Sequence, residues 1–154
     1  MAQRVVYTDG ACLGNPGPGG WAWLEPESGR NASGGEPRTT NQRMELTAVL
    51  RALEALPGED VLVRADSQYV VRCFTERWYE RWRRNGFRNA KGDPVANQDL
   101  WEALLALALA PGRSVAFEWV RGHAGDPANE LVNDLAQRAA RAEEAAGRRQ
   151  ADGG

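Results

Sequence analysis

The apolar residues change their spacing near residue 40, and this change restricts the fold. Before it, the runs QRVVYT at 3–8 and GWAWLEP near 20–26 read as strands, with a third strand weakly signalled around 31–36. The phrase between them, GACLGNPGPGG, is so rich in Gly and Pro that it reads as a tight loop. After the change, Leu46, Val49, Leu50, Leu53 and Leu56 fall on one face of a helix running from about 42 to 56. Thr39 or Thr40 can cap that helix and Pro57-Gly58 stops it. VLVRA (61–65) reads as a buried strand ending at Asp66, and Ser67 can cap a following helix. A helix near 97–109, a strand over 114–120 and a helix from about 127 to 145 complete the order. Hairpin strands followed by alternating helices and strands predict an α/β fold, with an antiparallel meander continued by parallel strands in one mixed sheet.

At 154 residues the chain fits one domain, taken as 1–146, with 147–154 expected to be a disordered tail. No apolar run approaches the roughly 20 residues that cross a bilayer, and MAQRVVYTDG lacks signal-peptide architecture. Cys12 and Cys73 make neither a disulfide framework nor a metal-ligand spacing, so a cytoplasmic location is expected. Of the 19 Arg and Lys residues, six lie in 77–91: Arg77, Arg81, Arg83, Arg84, Arg88 and Lys91. The same stretch holds a single acid, Glu80, among the chain's 21. With Trp78, Tyr79, Trp82 and Phe87 interleaved, this basic segment on an acidic body predicts local grip on a polyanion.

Three acids sit where strands end or helices begin: Asp9, Glu45 and Asp66, in the phrases YTDGACLGNPG, TTNQRMEL and RADSQYV. Alone, each has an ordinary reading: a turn residue before Gly10, a first-turn helix charge, and a neighbour of an N-cap. Brought together at strand ends, they repel one another unless a cation intervenes. Mg²⁺ suits such a set because it takes few carboxylates and keeps positions for water and phosphate. The lone histidine, His123, lies in VRGHAGDPANELVND between glycine-containing turns, where exposure favours a functional role. These residues predict metal-dependent phosphodiester chemistry.

The phrases TDGACLGNPGPGG, RTTNQRMEL, ADSQYV, the Trp78/Trp82 basic segment followed by NQDLW, and VRGHAG with NEL together resemble type 1 ribonuclease H in its compact bacterial form. They occur in the family's order and cover about residues 3–140. The resemblance implies a ribonuclease H-like fold with a five-stranded mixed sheet flanked by helices. It implies an endonuclease that hydrolyses the RNA strand of RNA–DNA hybrids. Asp9, Glu45 and Asp66 match the first three metal-binding carboxylates, and His123 matches a loop histidine used in proton transfer or product release. The fourth carboxylate position falls on Asn133. Asp134 is adjacent, but one residue is about a 100° turn of helix, and Leu135 and Ala136 keep the register that puts Asn133 at the site.

An asparagine retains a carbonyl oxygen for a hard metal but loses one negative charge. Either the site works with three carboxylates and an amide, or this chain is a catalytically disabled hybrid-binding form. The mechanism the resemblance implies uses two Mg²⁺ ions roughly 4 Å apart, with Mn²⁺ as a possible substitute, and leaves 5′-phosphate and 3′-hydroxyl ends. Cys12, Asn15, Asn41, Gln42 and Gln68 match positions that read the RNA 2′-hydroxyls. Arg38, Thr40 and Asn97 match a phosphate pocket for the DNA strand, and Trp78 matches the wall of its channel. Trp82 and Phe87 are expected in the core instead. An RNA–DNA hybrid is the one partner implied, with no membrane and no protein partner, and the chain is expected to be a monomer.

Overall fold

The computed structural model describes residues 3–121 and 125–153. Its strands are β1 (Arg4–Cys12), β2 (Gly17–Leu24), β3 (Asn31–Thr39), β4 (Val61–Ala65) and β5 (Val115–Trp119). Its helices are α1 (Asn41–Ala55), α2 (Gln68–Thr75), α3 (Trp78–Asn85), α4 (Gln98–Ala108) and α5 (Pro127–Gly153). The sheet order is β3-β2-β1-β4-β5, antiparallel across the first three strands and parallel from β1 to β4 to β5. The expected five-stranded mixed sheet is therefore present.

Alternation along β1 divides the molecule into two apolar layers. Val6 faces a large cluster with Leu46, Val49 and Leu53 of α1, Val61 and Val63 of β4, and Trp101, Leu104 and Leu105 of α4. Tyr7 faces the opposite side, with Ala22 and Leu24 of β2 and Val132 and Ala136 of α5. The helical spacing of the α1 leucines thus packs against one face of the sheet, and α5 covers part of the other. Thr40 caps α1, its hydroxyl accepting from Arg43 N at 3.2 Å. Ser67 caps α2 in the same way, from Val70 N at 3.2 Å. In the aromatic segment Trp82 is buried, with ring centroids 5.3 Å from Trp101 and 6.1 Å from Phe87. Both rings belong to the core, as expected.

Two expectations are corrected. The glycine-rich phrase is mostly strand, because β1 runs to Cys12 and β2 starts at Gly17. Its glycines are needed for close approach more than for turning: a Cβ on Gly10 would collide with the backbone of Met44 and Glu45, and one on Gly20 with that of Ala136. Helices α1 and α5 thereby sit directly on the sheet backbone. The other correction concerns 147–153, which continue α5 in place of the expected disordered tail. An Arg148–Glu144 pair at 3.5 Å, four residues apart, supports that last stretch. Among the described residues no helix is long and apolar enough to cross a membrane.

Candidate active site

The parallel register of β1 and β4 pairs Thr8 with Ala65. The next residues along are Asp9 and Asp66, so two carboxylates stand side by side where β4 ends. Glu45 comes from the opening turns of α1, whose backbone rests on Gly10. Asp9, Glu45 and Asp66 line one narrow cleft with Thr8, Ala65, Ser67 and Val70. Asp9 is buried, while Glu45 and Asp66 are half-buried.

Each carboxylate has a defined hold. Asp9 Oδ1 accepts from Gly10 N at 2.9 Å, and its Oδ2 accepts from Asn133 Nδ2 at 2.7 Å. Glu45 Oε1 accepts from Asn41 Nδ2 at 2.9 Å. The carbonyl of Asp66 accepts from the indole of Trp119 at 3.1 Å, which pins the strand-to-helix corner. Asn133 thus joins the group from α5, while its own Oδ1 accepts from Gln137 Nε2 at 3.1 Å. The amide presents its NH₂ to Asp9 and partly offsets that carboxylate's charge.

Burial pushes Asp9 up to about 7, reinforced by the charge of Asp66 and to a smaller extent Glu45. The hydrogen bonds from Asn133 and Gly10 pull the other way. Burial also raises Glu45, against hydrogen bonding from Ser67, and raises Asp66, against a hydrogen bond shared with Asp9. Asp9 and Asp66 titrate as a pair that retains a proton near neutrality. A cation in the cleft would replace that proton.

Among the described residues no group of three or more His, Cys, Asp or Glu side chains is arranged to hold a metal ion unaided. The donors are hard carboxylate oxygens of raised proton affinity, converging in one cleft. They fit a hard cation that binds through one or two carboxylates and completes its shell with water and phosphate. They do not fit a metal that needs a closed protein cage.

Around the cleft, Asn15 Oδ1 accepts from Asn41 N at 3.0 Å and ties the β1–β2 turn to the start of α1. Cys12 turns its thiol toward the carbonyls of Gly14, Gly17 and Thr39. Gln42, Gln68 and Arg38 are exposed. Thr40 is engaged as a cap, and Asn97 Oδ1 accepts from Arg43 Nη1 at 3.2 Å. Arg43 also binds Asp99, so it links α1 to α4 beside Thr40 and Asn97. Sequence reasoning passed over Arg43, although it lies inside the TTNQRMEL phrase. It also passed over Gln137 and Trp119, whose roles emerge only from the folded register.

Trp78 packs back against Tyr69 near the start of α2, with ring centroids 6.0 Å apart, and the basic side chains lie on α3 and the residues that flank it. Arg77, Arg81, Arg83, Arg84, Arg88 and Lys91 are all exposed, and Trp78 is half-buried. His123 lies outside the described residues.

Comparison with known proteins agrees with this geometry. The family model described as RNase H matches residues 1–141. A ribonuclease H of Thermus thermophilus is 52% identical over 145 residues, covering 92% of this chain and 86% of the relative. Ribonuclease H of Halorhodospira halophila is 54% identical over 140 residues, covering 87% and 92%. Among solved structures, LC9-RNase H1, a type 1 RNase H with the type 2 active-site motif, superposes with a TM-score of 0.75 at 33% identity, covering 93% of this chain and 75% of that one. LC11-RNase H1 in complex with RNA/DNA hybrid superposes with a TM-score of 0.65 at 25% identity, covering 89% and 99%. Carrying the fold, the clustered carboxylates and a family match over residues 1–141, this chain belongs to the RNase H family.

Proposed function

We propose that the chain hydrolyses the RNA strand of RNA–DNA hybrids, as a divalent-metal-dependent endonuclease leaving 5′-phosphate and 3′-hydroxyl ends. The observation that carries this reading is the convergence of Asp9, Glu45 and Asp66 in one cleft, with Asp9 pushed up to about 7 by burial and by its neighbours. Mg²⁺ is the cation assigned to these residues, with Mn²⁺ as substitute. When bound, the ions supply Lewis-acid activation of water and charge stabilisation at the leaving oxygen.

The chain's own residues do the rest. Asp9, the most buried of the three acids, offers oxygens to the cleft while Gly10 N and Asn133 Nδ2 fix its plane. Asn41 orients Glu45, and Trp119 fixes the backbone of Asp66. Asn133 acts first as a donor to Asp9, and its oxygen, which accepts from Gln137, keeps a second lone pair for a cation. His123 is assigned proton transfer or product release. Asn15, Asn41, Gln42, Gln68 and the Cys12 backbone are assigned the RNA 2′-hydroxyls. Arg38, Thr40, Asn97 and Trp78 are assigned the DNA strand. Both cysteines are free, which supports a cytoplasmic location, and residues 1–146 are proposed as one functional domain.

The test is cleavage of a labelled RNA–DNA hybrid with Mg²⁺ or Mn²⁺, beside RNA duplex, DNA duplex and an Asp9→Asn control. Cutting of the hybrid alone, lost in the control, is the expected outcome. Binding without cutting, restored by Asn133→Asp, would instead identify a disabled hybrid-binding form.

A further inference from the structure

One step below Asp9 and Asp66, on the same face of the sheet, runs a second row of polar side chains. Tyr7 on β1 pairs with Arg64 on β4, and Arg64 pairs with Glu118 on β5. Tyr7 precedes Asp9 by two residues and Arg64 precedes Asp66 by two, so strand alternation places the two rows on one face. Arg64 Nη1 donates to the Tyr7 hydroxyl at 3.3 Å, and its guanidinium lies 5.7 Å from the ring centroid. Glu118 Oε1 stands 3.3 Å from Arg64 Nε as a charge partner, while that Nε makes no hydrogen bond.

The Tyr7 hydroxyl directs its own proton to Asp126, donating to Oδ2 at 3.2 Å. The second oxygen of Asp126 accepts from Ala128 N at 3.2 Å and Asn129 N at 3.3 Å, so this carboxylate also caps α5. The result is a hydrogen-bonded strut, Arg64–Tyr7–Asp126, from β4 to the first turn of α5, with Glu118 beside it at the edge of the sheet. Next to it an open groove is lined by Val5, Leu24, Pro26, Pro127 and Leu131, and Leu131 is 48% exposed. Val132 and Ala136 pack α5 on the sheet, and at its exposed first turn the polar strut adds a directional hold. Seven residues further along the helix, ~10 Å by its rise, Asn133 meets Asp9.

We propose that Tyr7 and Arg64 are positioning residues for cleavage: their strut sets α5 against the sheet and thereby sets the Asn133–Asp9 contact. Tyr7 and Arg64 act through Asp126 and α5, not on the substrate. The inference rests on the proposed function, and its test separates the two. Tyr7→Phe removes one hydroxyl, and Arg64→Gln, at a side chain 33% exposed, provides an independent break in the same strut. Hybrid cleavage by each is compared with wild type, in the native and in the Asn133→Ala background, with thermal unfolding measured in parallel.

Loss of one hydrogen bond predicts that Tyr7→Phe lowers kcat about fivefold, with KM for the hybrid changed less than about twofold. Arg64→Gln shifts kcat in the same direction, and Arg64→Lys recovers part of it. In the Asn133→Ala background these effects shrink to near unity, because the contact they serve is gone. An unchanged kcat, or an equal loss in both backgrounds, overturns the proposal. A readout independent of activity is the side-chain amide of Asn133 in NMR, protected from exchange in the wild type and less protected in Tyr7→Phe. Unaltered protection also overturns the proposal. A wild type that cuts no hybrid defeats the functional reading alone, since the amide signal still reports on the strut.

Discussion

Asp9 is stressed by its surroundings in a way that is measurable without substrate. Its folded value of about 7 stands above the ordinary 3.8, so between those values the folded state holds a proton that the unfolded chain lacks. Stability contributed by that proton is present at acid pH and lost as pH rises through about 7. Metal-free protein should therefore be less stable at pH 8 than at pH 6, and Asp9→Asn should recover on the order of 2 kcal/mol at pH 8. Denaturant titrations with a chelator at both pH values check this; equal stability of the two proteins at pH 8 would contradict it. Asn133 carries a second expectation at this scale. Asn133→Asp replaces a donor by a fourth anion, so half-maximal activity should come at a lower Mg²⁺ concentration, by about tenfold for each 1.4 kcal/mol gained. Coincident Mg²⁺ titration curves would exclude that. The three acids were legible in sequence because each sits in a distinctive polar phrase. Arg43, Gln137 and Trp119 were not, since an arginine or glutamine on a helix and a tryptophan in a strand have many ordinary uses. Only the fold shows where their donors point.

At the scale of elements, the glycines decide how closely layers approach. Gly20 lies under α5, where a Cβ would collide with the Ala136 carbonyl and stand 2.6 Å from Ala140 N. Gly20→Ala should then cost ~2–3 kcal/mol by forcing α5 outward. In a domain of this size that is a fall in Tm of about 5–10 °C, read by calorimetry. A Gly58→Ala control would not test packing, because Gly58 has open space around it but a φ of +72°. The same chemistry explains the misread strand ends. Glycine marks both a turn and a backbone approached closely by another element, and sequence alone does not separate the two. Helix α1 was legible nearly to the residue because its leucine spacing and Thr40 cap agree. The continuation of α5 was not, since GRRQADG combines a weak helix former with a polar run.

Across the whole molecule, charge is separated. The carboxylate cleft lies where β4 ends, and the exposed cations cluster on α3 and the following loop. A hybrid lying across both would place its scissile phosphate at one and gain sequence-independent hold at the other. Affinity should therefore fall as salt rises, and the double substitution Arg83→Ala/Arg84→Ala should reduce the log–log salt slope by about two. Binding isotherms at several salt concentrations give that slope; an unchanged value would place these arginines away from the phosphates. The order of strands was legible as a class of sheet from the alternation of elements. The exact register that sets Thr8 beside Ala65 was not, because it depends on side-chain packing across distant segments.

The bond between Asn133 and Asp9 joins residues 124 positions apart, one on the first strand and one on the last helix. In chain order Asp9 comes from β1, Asp66 follows β4 and completes the parallel pair, and Asn133 comes from α5. The cleft therefore has no complete form in any chain that ends before α5. Any fragment that lacks α5 keeps the paired aspartates and loses the amide that holds Asp9 in its plane.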